Sequence, residues 1–134
     1  MKNGNLCRIF ITLLLLQGGY GIAQNSLIEK VESSWKSFSI CKYSVLKDAE
    51  LAPDIYQNDR TSAAKTEAYL RNYSVSKFGK VDADKLEGGG HLWAVLAVYQ
   101  PDNKTYNQRS LNERREQLKY CRGLFEHFAN ESNR

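Results

Sequence analysis

The sequence contains few of the residues that usually carry out chemistry. Its 134 residues include only two histidines, three cysteines and two prolines. Metal sites and acid–base pairs need their groups at defined spacing. His91 has no Cys, Glu or His at helical spacing, and the pairing of His127 with Glu131 is typical of a surface contact. The sequence therefore predicts no catalytic residue, no metal site and no cofactor, and we do not expect an enzyme.

Two binding patterns are also missing from the sequence. Gly88–Gly90 lacks the Lys-Ser or Lys-Thr pair that completes a phosphate-binding loop, and it does not follow a clear strand. Acidic and basic residues are mixed along the chain, without the basic stripe that nucleic-acid binding requires. These absences argue against a nucleotide-binding loop and against a nucleic-acid partner.

The first 23 residues have the three parts of a secretory signal peptide. Lys2 and Arg8 give a basic start, an apolar run follows over residues 9–16, and Gly21-Ile22-Ala23 places small residues at a cleavage site. The apolar run of about eight residues is shorter than the roughly 20 that span a bilayer. We expect export with removal of residues 1–23, which leaves residues 24–134 as a single periplasmic domain without a stable membrane span.

Removal of residues 1–23 changes both the charge and the cysteine count. The remaining 17 Lys and Arg against 15 Asp and Glu give a net charge of +2 instead of +4. Cys7 is lost, and Cys41 and Cys121 form an even pair, which favours a disulfide over two free thiols in an exported chain. The bond would close a loop of about 80 residues and stabilise the fold by roughly 4 kcal/mol in the chain-entropy model.

Apolar residues recur at helical spacing in two early segments. The spacing predicts a first helix over residues 26–49, capped by Asn25 or Ser26. Its apolar face comprises Ile28, Val31, Trp35, Phe38, Cys41 or Lys42, and Val45. A second helix is expected to start near Thr61 or Ser62, and the segment 74–84 fits either a helix or a loop. The apolar face of this second helix comprises Ala63 or Ala64, Ala68, Leu70 and Tyr73.

The second half of the chain combines a glycine run, an apolar run and a clear last helix. Gly88–Gly90 is expected to interrupt regular structure, as a flexible turn or as a mobile loop offered to a partner. The run 91–99 is consistent with a strand or a buried helix, and we favour a helix because Leu92, Val95, Leu96 and Tyr99 share a face. Ser110 and Glu113 match a capping box. The apolar stripe of this last helix comprises Leu111, Leu118, Cys121, Phe125 and Phe128.

These elements predict an all-α fold, a small bundle of four or five helices whose first and last helices are tied by the disulfide between Cys41 and Cys121. Tyrosines are numerous for so small a domain, and they cannot all belong to the core. Tyrosine is enriched where proteins meet partners, so this composition favours binding over catalysis. The tyrosines concerned are Tyr43, Tyr56, Tyr69, Tyr73, Tyr99, Tyr106 and Tyr120.

Three segments carry a resemblance to a known family. Trp35 lies six residues before Cys41, residues 63–70 open the second helix with Ala-Ala-Lys-Thr-Glu-Ala-Tyr-Leu, and Leu-Lys-Tyr-Cys-Arg occupies residues 118–122. With the signal peptide, this pattern resembles the small periplasmic all-helical immunity proteins that protect bacteria from type VI secretion amidase effectors.

The resemblance implies a protein partner, a peptidoglycan-cleaving cysteine amidase whose active-site cleft is blocked, and it implies a homodimer. The alternative function is that of a chaperone-like or structural envelope protein, because small disulfide-tied helical proteins also protect clients under stress.

Overall fold

Four helices make up the described part of the chain. A computed structural model describes residues 20–51, 56–98 and 111–134. The helices are α1 (Tyr20–Leu51), α2 (Gln57–Phe78), α3 (Lys80–Val98) and α4 (Leu111–Ser132). No strand occurs within these three ranges. The predicted all-α bundle is therefore confirmed for the described residues, with four helices.

The chain divides into two units, Met1–Val31 and Glu32–Arg134. The described part of the first unit, residues 20–31, is helical and belongs to α1. The second unit contains the rest of α1 and all of α2, α3 and α4. Most of the predicted signal peptide lies outside the described residues, so its removal stays a prediction. None of the helices in the described ranges is long and apolar enough to cross a membrane.

Aromatic side chains from α1 and α4 form the core of the second unit. Trp35 and Phe38 are fully buried, and their rings meet edge to face with centroids 5.9 Å apart. Phe125 of α4 packs against Phe38 at a centroid distance of 6.4 Å. Full burial of one such side chain contributes about 1.5–3 kcal/mol, so this cluster is a main source of stability.

The disulfide between Cys41 and Cys121 is confirmed. It joins α1 to α4 with a Cα–Cα distance of 5.4 Å, and both cysteines are buried. The predicted stripe of α4 is also confirmed at Phe125 and Phe128, which are buried beside Cys121. The first and last helices of the described chain are thus held together by a covalent bond and by aromatic packing.

The buried face of α2 differs from the predicted one because three of its five buried residues are polar. Ala68, which was expected on the apolar face, is exposed. Ser74 Oγ donates to the carbonyl of Leu70 at 2.7 Å and accepts a hydrogen bond from Trp35 Nε1 at 3.0 Å. Such satisfied hydroxyls can be buried at little cost, and a search for apolar periodicity does not detect them. The buried residues of α2 are Asp59, Ala63, Thr66, Leu70 and Ser74.

Helix boundaries are the least accurately predicted feature. Helix α1 begins at Tyr20, so Asn25 and Ser26 lie inside the helix instead of capping it. Helix α2 begins at Gln57, four residues before Thr61. The predicted capping residue Ser110 lies outside the described residues.

The ambiguous segment 74–84 contains the junction of α2 and α3. Gly79 ends α2 with φ of 81°, a left-handed conformation that favours glycine, and its N–H donates to the carbonyl of Val75 at 2.9 Å. Helix α3 follows immediately, and the N–H of Ala83 donates to the carbonyl of Gly79 at 3.0 Å. One residue is therefore enough to redirect the chain.

The predicted interruption at Gly88–Gly90 is wrong, since all three glycines lie inside α3. Gly90 is buried against the backbone of Trp35 in α1, where a side chain would not fit. Packing at this position outweighs the weak helix propensity of glycine, which is about 1 kcal/mol below that of alanine.

Candidate functional site

Helix α3 turns its large apolar side chains toward solvent. Leu92, Trp93, Val95 and Leu96 have exposed fractions between 41% and 62%. The prediction of a helix for this run is confirmed through Val98, but the prediction that it is buried is wrong. The buried positions of α3 are the small residues Ala83, Gly90 and Ala94. Close packing through small residues leaves the bulky side chains outside.

We call the surface formed by Val81, Gly88, Gly89, Leu92, Trp93, Val95 and Leu96 the outer face of α3. Val81, Leu92 and Leu96 follow helical spacing, and the glycines lie between them. A Cβ at Gly88 or Gly89 would meet no atom within 4 Å. Each exposed glycine lowers helix stability by about 1 kcal/mol relative to alanine, and its neighbours provide no packing in return.

A lysine from α1 borders the outer face of α3. Lys36 Nζ lies 5.0 Å from the centroid of the Trp93 ring and 3.0 Å from Glu32 Oε1. A cation over an indole ring contributes roughly 0.5–1 kcal/mol at an exposed site. The Trp93 ring therefore has a preferred position although half of it contacts solvent.

A charged cluster connects α1, α2 and α3. It comprises Lys42 and Tyr43 of α1, Glu67 and Arg71 of α2, and Glu87 and His91 of α3. Arg71 Nη2 donates to Glu67 Oε1 at 3.2 Å and to Glu87 Oε1 at 2.5 Å. Lys42 Nζ donates to the other oxygen of Glu67 at 2.6 Å. The two carboxylates are thus neutralised by two cations.

The hydrogen bonds from Arg71 lower the pKa of Glu87 below its ordinary value, because they stabilise the ionised carboxylate more than partial burial destabilises it. The same hydrogen bonds raise the pKa of Arg71. Glu87 therefore stays ionised near neutral pH.

His91 contacts both α1 and its own helix. Its Nδ1 lies 3.0 Å from the hydroxyl of Tyr43, and its Nε2 lies 3.6 Å from Glu87 Oε1. The prediction that His91 has no Glu at helical spacing is wrong, because Glu87 lies one turn earlier on a continuous helix. Glu67, Glu87 and His91 each offer one ligand atom, and these atoms lie within 4.8 Å of one another. They are the residues in the described ranges that could hold a metal ion.

A groove of about 380 Å³ lies between α2 and α4. At one end Asp59 is buried, and its two carboxylate oxygens accept hydrogen bonds from Arg122, both at 2.9 Å. Phe125, Phe128 and Tyr69 form the apolar part of the lining. Since the carboxylate is already paired, the groove presents no unpaired Asp59 to a ligand.

The described tyrosines differ in their exposure to solvent. Tyr120 is 60% exposed, whereas Tyr69 is partly buried with its ring centroid 6.1 Å from Tyr73 and 5.8 Å from Phe128. Tyr99 and Tyr106 lie outside the described residues. Trp93 was not predicted as a surface residue, and the continuity of α3 places it beside Leu92 and Leu96.

Comparison of the chain with protein-family models, with curated proteins and with solved structures finds no match.

Proposed function

We propose that this chain is an exported binding protein and that the outer face of α3 contacts a protein partner. The observation that carries the proposal is the exposure of Leu92, Trp93 and Leu96 side by side on one helix. Contiguous exposed apolar groups mark interaction sites on soluble proteins, and tryptophan is among the residues that dominate binding energy.

The shape of the outer face supports a close contact. Gly88 and Gly89 leave the backbone of α3 uncovered, and Leu92 stands one turn further along the helix. A partner segment can approach the helix axis at the glycines and pack against the leucine. This contact would give the two exposed glycines a packing role that they lack in the chain alone.

The partner in this proposal is a peptidoglycan-cleaving amidase, which the chain inhibits in the manner of an immunity protein. The disulfide and the buried aromatic cluster support this role because they hold α1 in place, and Gly90 of α3 packs against α1. A rigid support for α3 reduces the entropy lost on binding. The resemblance noted in the sequence points to the same partner class and to a periplasmic location. The resemblance also implies a homodimer. Sedimentation equilibrium of the purified chain would show whether it forms.

The proposal is tested with a purified peptidoglycan-cleaving cysteine amidase of the effector class that the resemblance implies. We expect the protein to bind it one to one and to stop its cleavage of peptidoglycan. Leu92→Asp and Trp93→Ala should each cost at least about 2 kcal/mol of binding, which is about 30-fold in Kd. Tyr120→Ala is the matched control, since it removes an aromatic residue of similar exposure from α4 and should leave the affinity unchanged.

Two results would count against this function. Equal affinity of the Trp93→Ala and Tyr120→Ala variants for the amidase would remove the outer face of α3 from the interface. Weak binding to many unfolded clients, increasing at low pH, would instead support the chaperone-like alternative.

A further inference from the structure

Three side chains of the charged cluster bring metal-binding atoms within reach of one cation. Glu67 lies on α2, and Glu87 and His91 lie one turn apart on α3. Their ligand atoms are all within 4.8 Å of one another. Imidazole nitrogen and carboxylate oxygen are ligands of Zn²⁺ and of related divalent transition metals.

The spacing of His91 and Glu87 fits coordination better than hydrogen bonding. Nε2 and Oε1 are 3.6 Å apart, which is too long for a good hydrogen bond. Two ligands held at about 2.0–2.1 Å in a tetrahedral site are about 3.4 Å apart. Small side-chain adjustments would therefore place one ion between these two atoms.

Tyr43 orients the imidazole ring of His91. Its hydroxyl is 3.0 Å from Nδ1 and can accept a hydrogen bond from Nδ1–H. In that tautomer Nε2 carries the lone pair and faces Glu87. Metal-binding histidines usually have such a partner on the other ring nitrogen.

Arg71 already places a positive charge between the two carboxylates. Its side chain is 52% exposed, so it can turn into solvent without crossing the core. Lys42 bonds to Oε2 of Glu67, so Oε1 becomes available to an ion once Arg71 has turned away. Exchange of the guanidinium for a divalent ion raises the positive charge between the two carboxylates from +1 to +2.

We propose that Glu67, Glu87 and His91 bind a divalent transition-metal ion, with Zn²⁺ as the best match, in exchange for Arg71. Three protein ligands leave a coordination position for water or for a group from a partner. The bound ion links α2 to α3 beside the outer face of α3. This site stands independently of the proposed inhibition.

The test is calorimetric titration of the disulfide-bonded full chain with Zn²⁺, combined with NMR of the two imidazole side chains. All proteins carry Cys7→Ser, so that no free thiol binds the metal. We expect the His91 signals to shift and those of His127 to stay. Glu87→Gln and His91→Asn should raise the Kd at least about tenfold, since even the loss of an outer hydrogen bond costs 10–100-fold.

Arg71→Gln separates metal binding from a structural role of the cluster. This variant removes the competing cation, so we expect its Kd for Zn²⁺ to fall below that of the parent chain. His127→Asn is the control for surface binding and should not alter the Kd. The proposal is overturned by no saturable binding in the parent chain, by unchanged affinity in the Glu87→Gln variant, or by weaker binding in Arg71→Gln.

Discussion

Gly90 of α3 lies so close to Trp35 of α1 that a Cβ at position 90 would be 2.8 Å from the carbonyl carbon and oxygen of Trp35. At Gly88 and Gly89 a Cβ would meet no atom within 4 Å. Three consecutive glycines therefore have two different roles. One permits the crossing of two helices, and the other two leave the outside of α3 uncovered.

Alanine substitutions at these glycines should change stability in opposite directions. We expect Gly90→Ala to lower the free energy of unfolding by about 1–3 kcal/mol, the usual cost of overpacking. Gly88→Ala should raise it by about 0.5–1 kcal/mol, because alanine favours the helix and clashes with nothing. Urea unfolding followed by circular dichroism measures both values, and equal effects would contradict the close crossing.

Alanine substitutions at two buried serines should also differ in their effect on stability. Ser74→Ala leaves the indole N–H of Trp35 without its partner, so we expect a loss of about 1–3 kcal/mol. Within the described residues Ser39 Oγ is buried without a hydrogen-bond partner. Ser39→Ala should therefore be neutral or stabilising by up to about 1 kcal/mol. A larger loss for Ser39→Ala than for Ser74→Ala, measured by urea unfolding, would refute this ranking.

The disulfide should supply a large part of the stability. The Cys41→Ala/Cys121→Ala variant is expected to lose about 4 kcal/mol, because the bond restricts an unfolded loop of 80 residues. Unfolding midpoints with and without a reductant measure the effect. The reductant should lower the midpoint of the parent chain and leave that of the double variant unchanged. A parent chain insensitive to the reductant at every urea concentration would argue against this contribution.

The ion pair of Asp59 and Arg122 should behave as a coupled unit. The Asp59 side chain is 8% exposed and that of Arg122 is 55% exposed, so Arg122→Ala leaves a buried carboxylate unpaired. We expect a loss of about 1–3 kcal/mol, below the value for fully buried pairs because solvent screens the arginine. The double variant Asp59→Ala/Arg122→Ala should lose less than the sum of the single variants, and additive losses would show that the pair is not coupled.

The sequence was most informative where large apolar residues recur at helical spacing. Trp35 and Phe38 in α1 and Phe125 in α4 could be assigned to the core in this way, and the two remaining cysteines allowed only one pairing. The face predicted for α2 was correct at Ala63 and Leu70 but missed Asp59 and Ser74. These two are buried as polar groups whose hydrogen-bond partners lie on helices far away in the sequence. Hydrophobic periodicity contains no information on such partners.

The predicted break in α3 was also wrong, and because of it the candidate sites could not be recognised in the sequence. Glycine lowers helix propensity, so the run 88–90 indicated a break when local preference alone was considered. Only the contact with Trp35 explains Gly90 in a helix, and this contact is made by residues far apart in the sequence. With the helix continuous, His91 comes next to Glu87, and Leu92 and Leu96 share one face.

Helix α3 buries the small residues Ala83, Gly90 and Ala94, while Leu92, Trp93 and Leu96 are exposed. Replacing one of these half-exposed residues removes fewer buried contacts than replacing Gly90 or Ala94, so it should disturb the fold less. Under the proposed function, mutations that alter recognition and mutations that alter folding would therefore fall mainly on different positions of the same helix. A lineage of such proteins could then follow a changing partner mainly by evolving the outer positions.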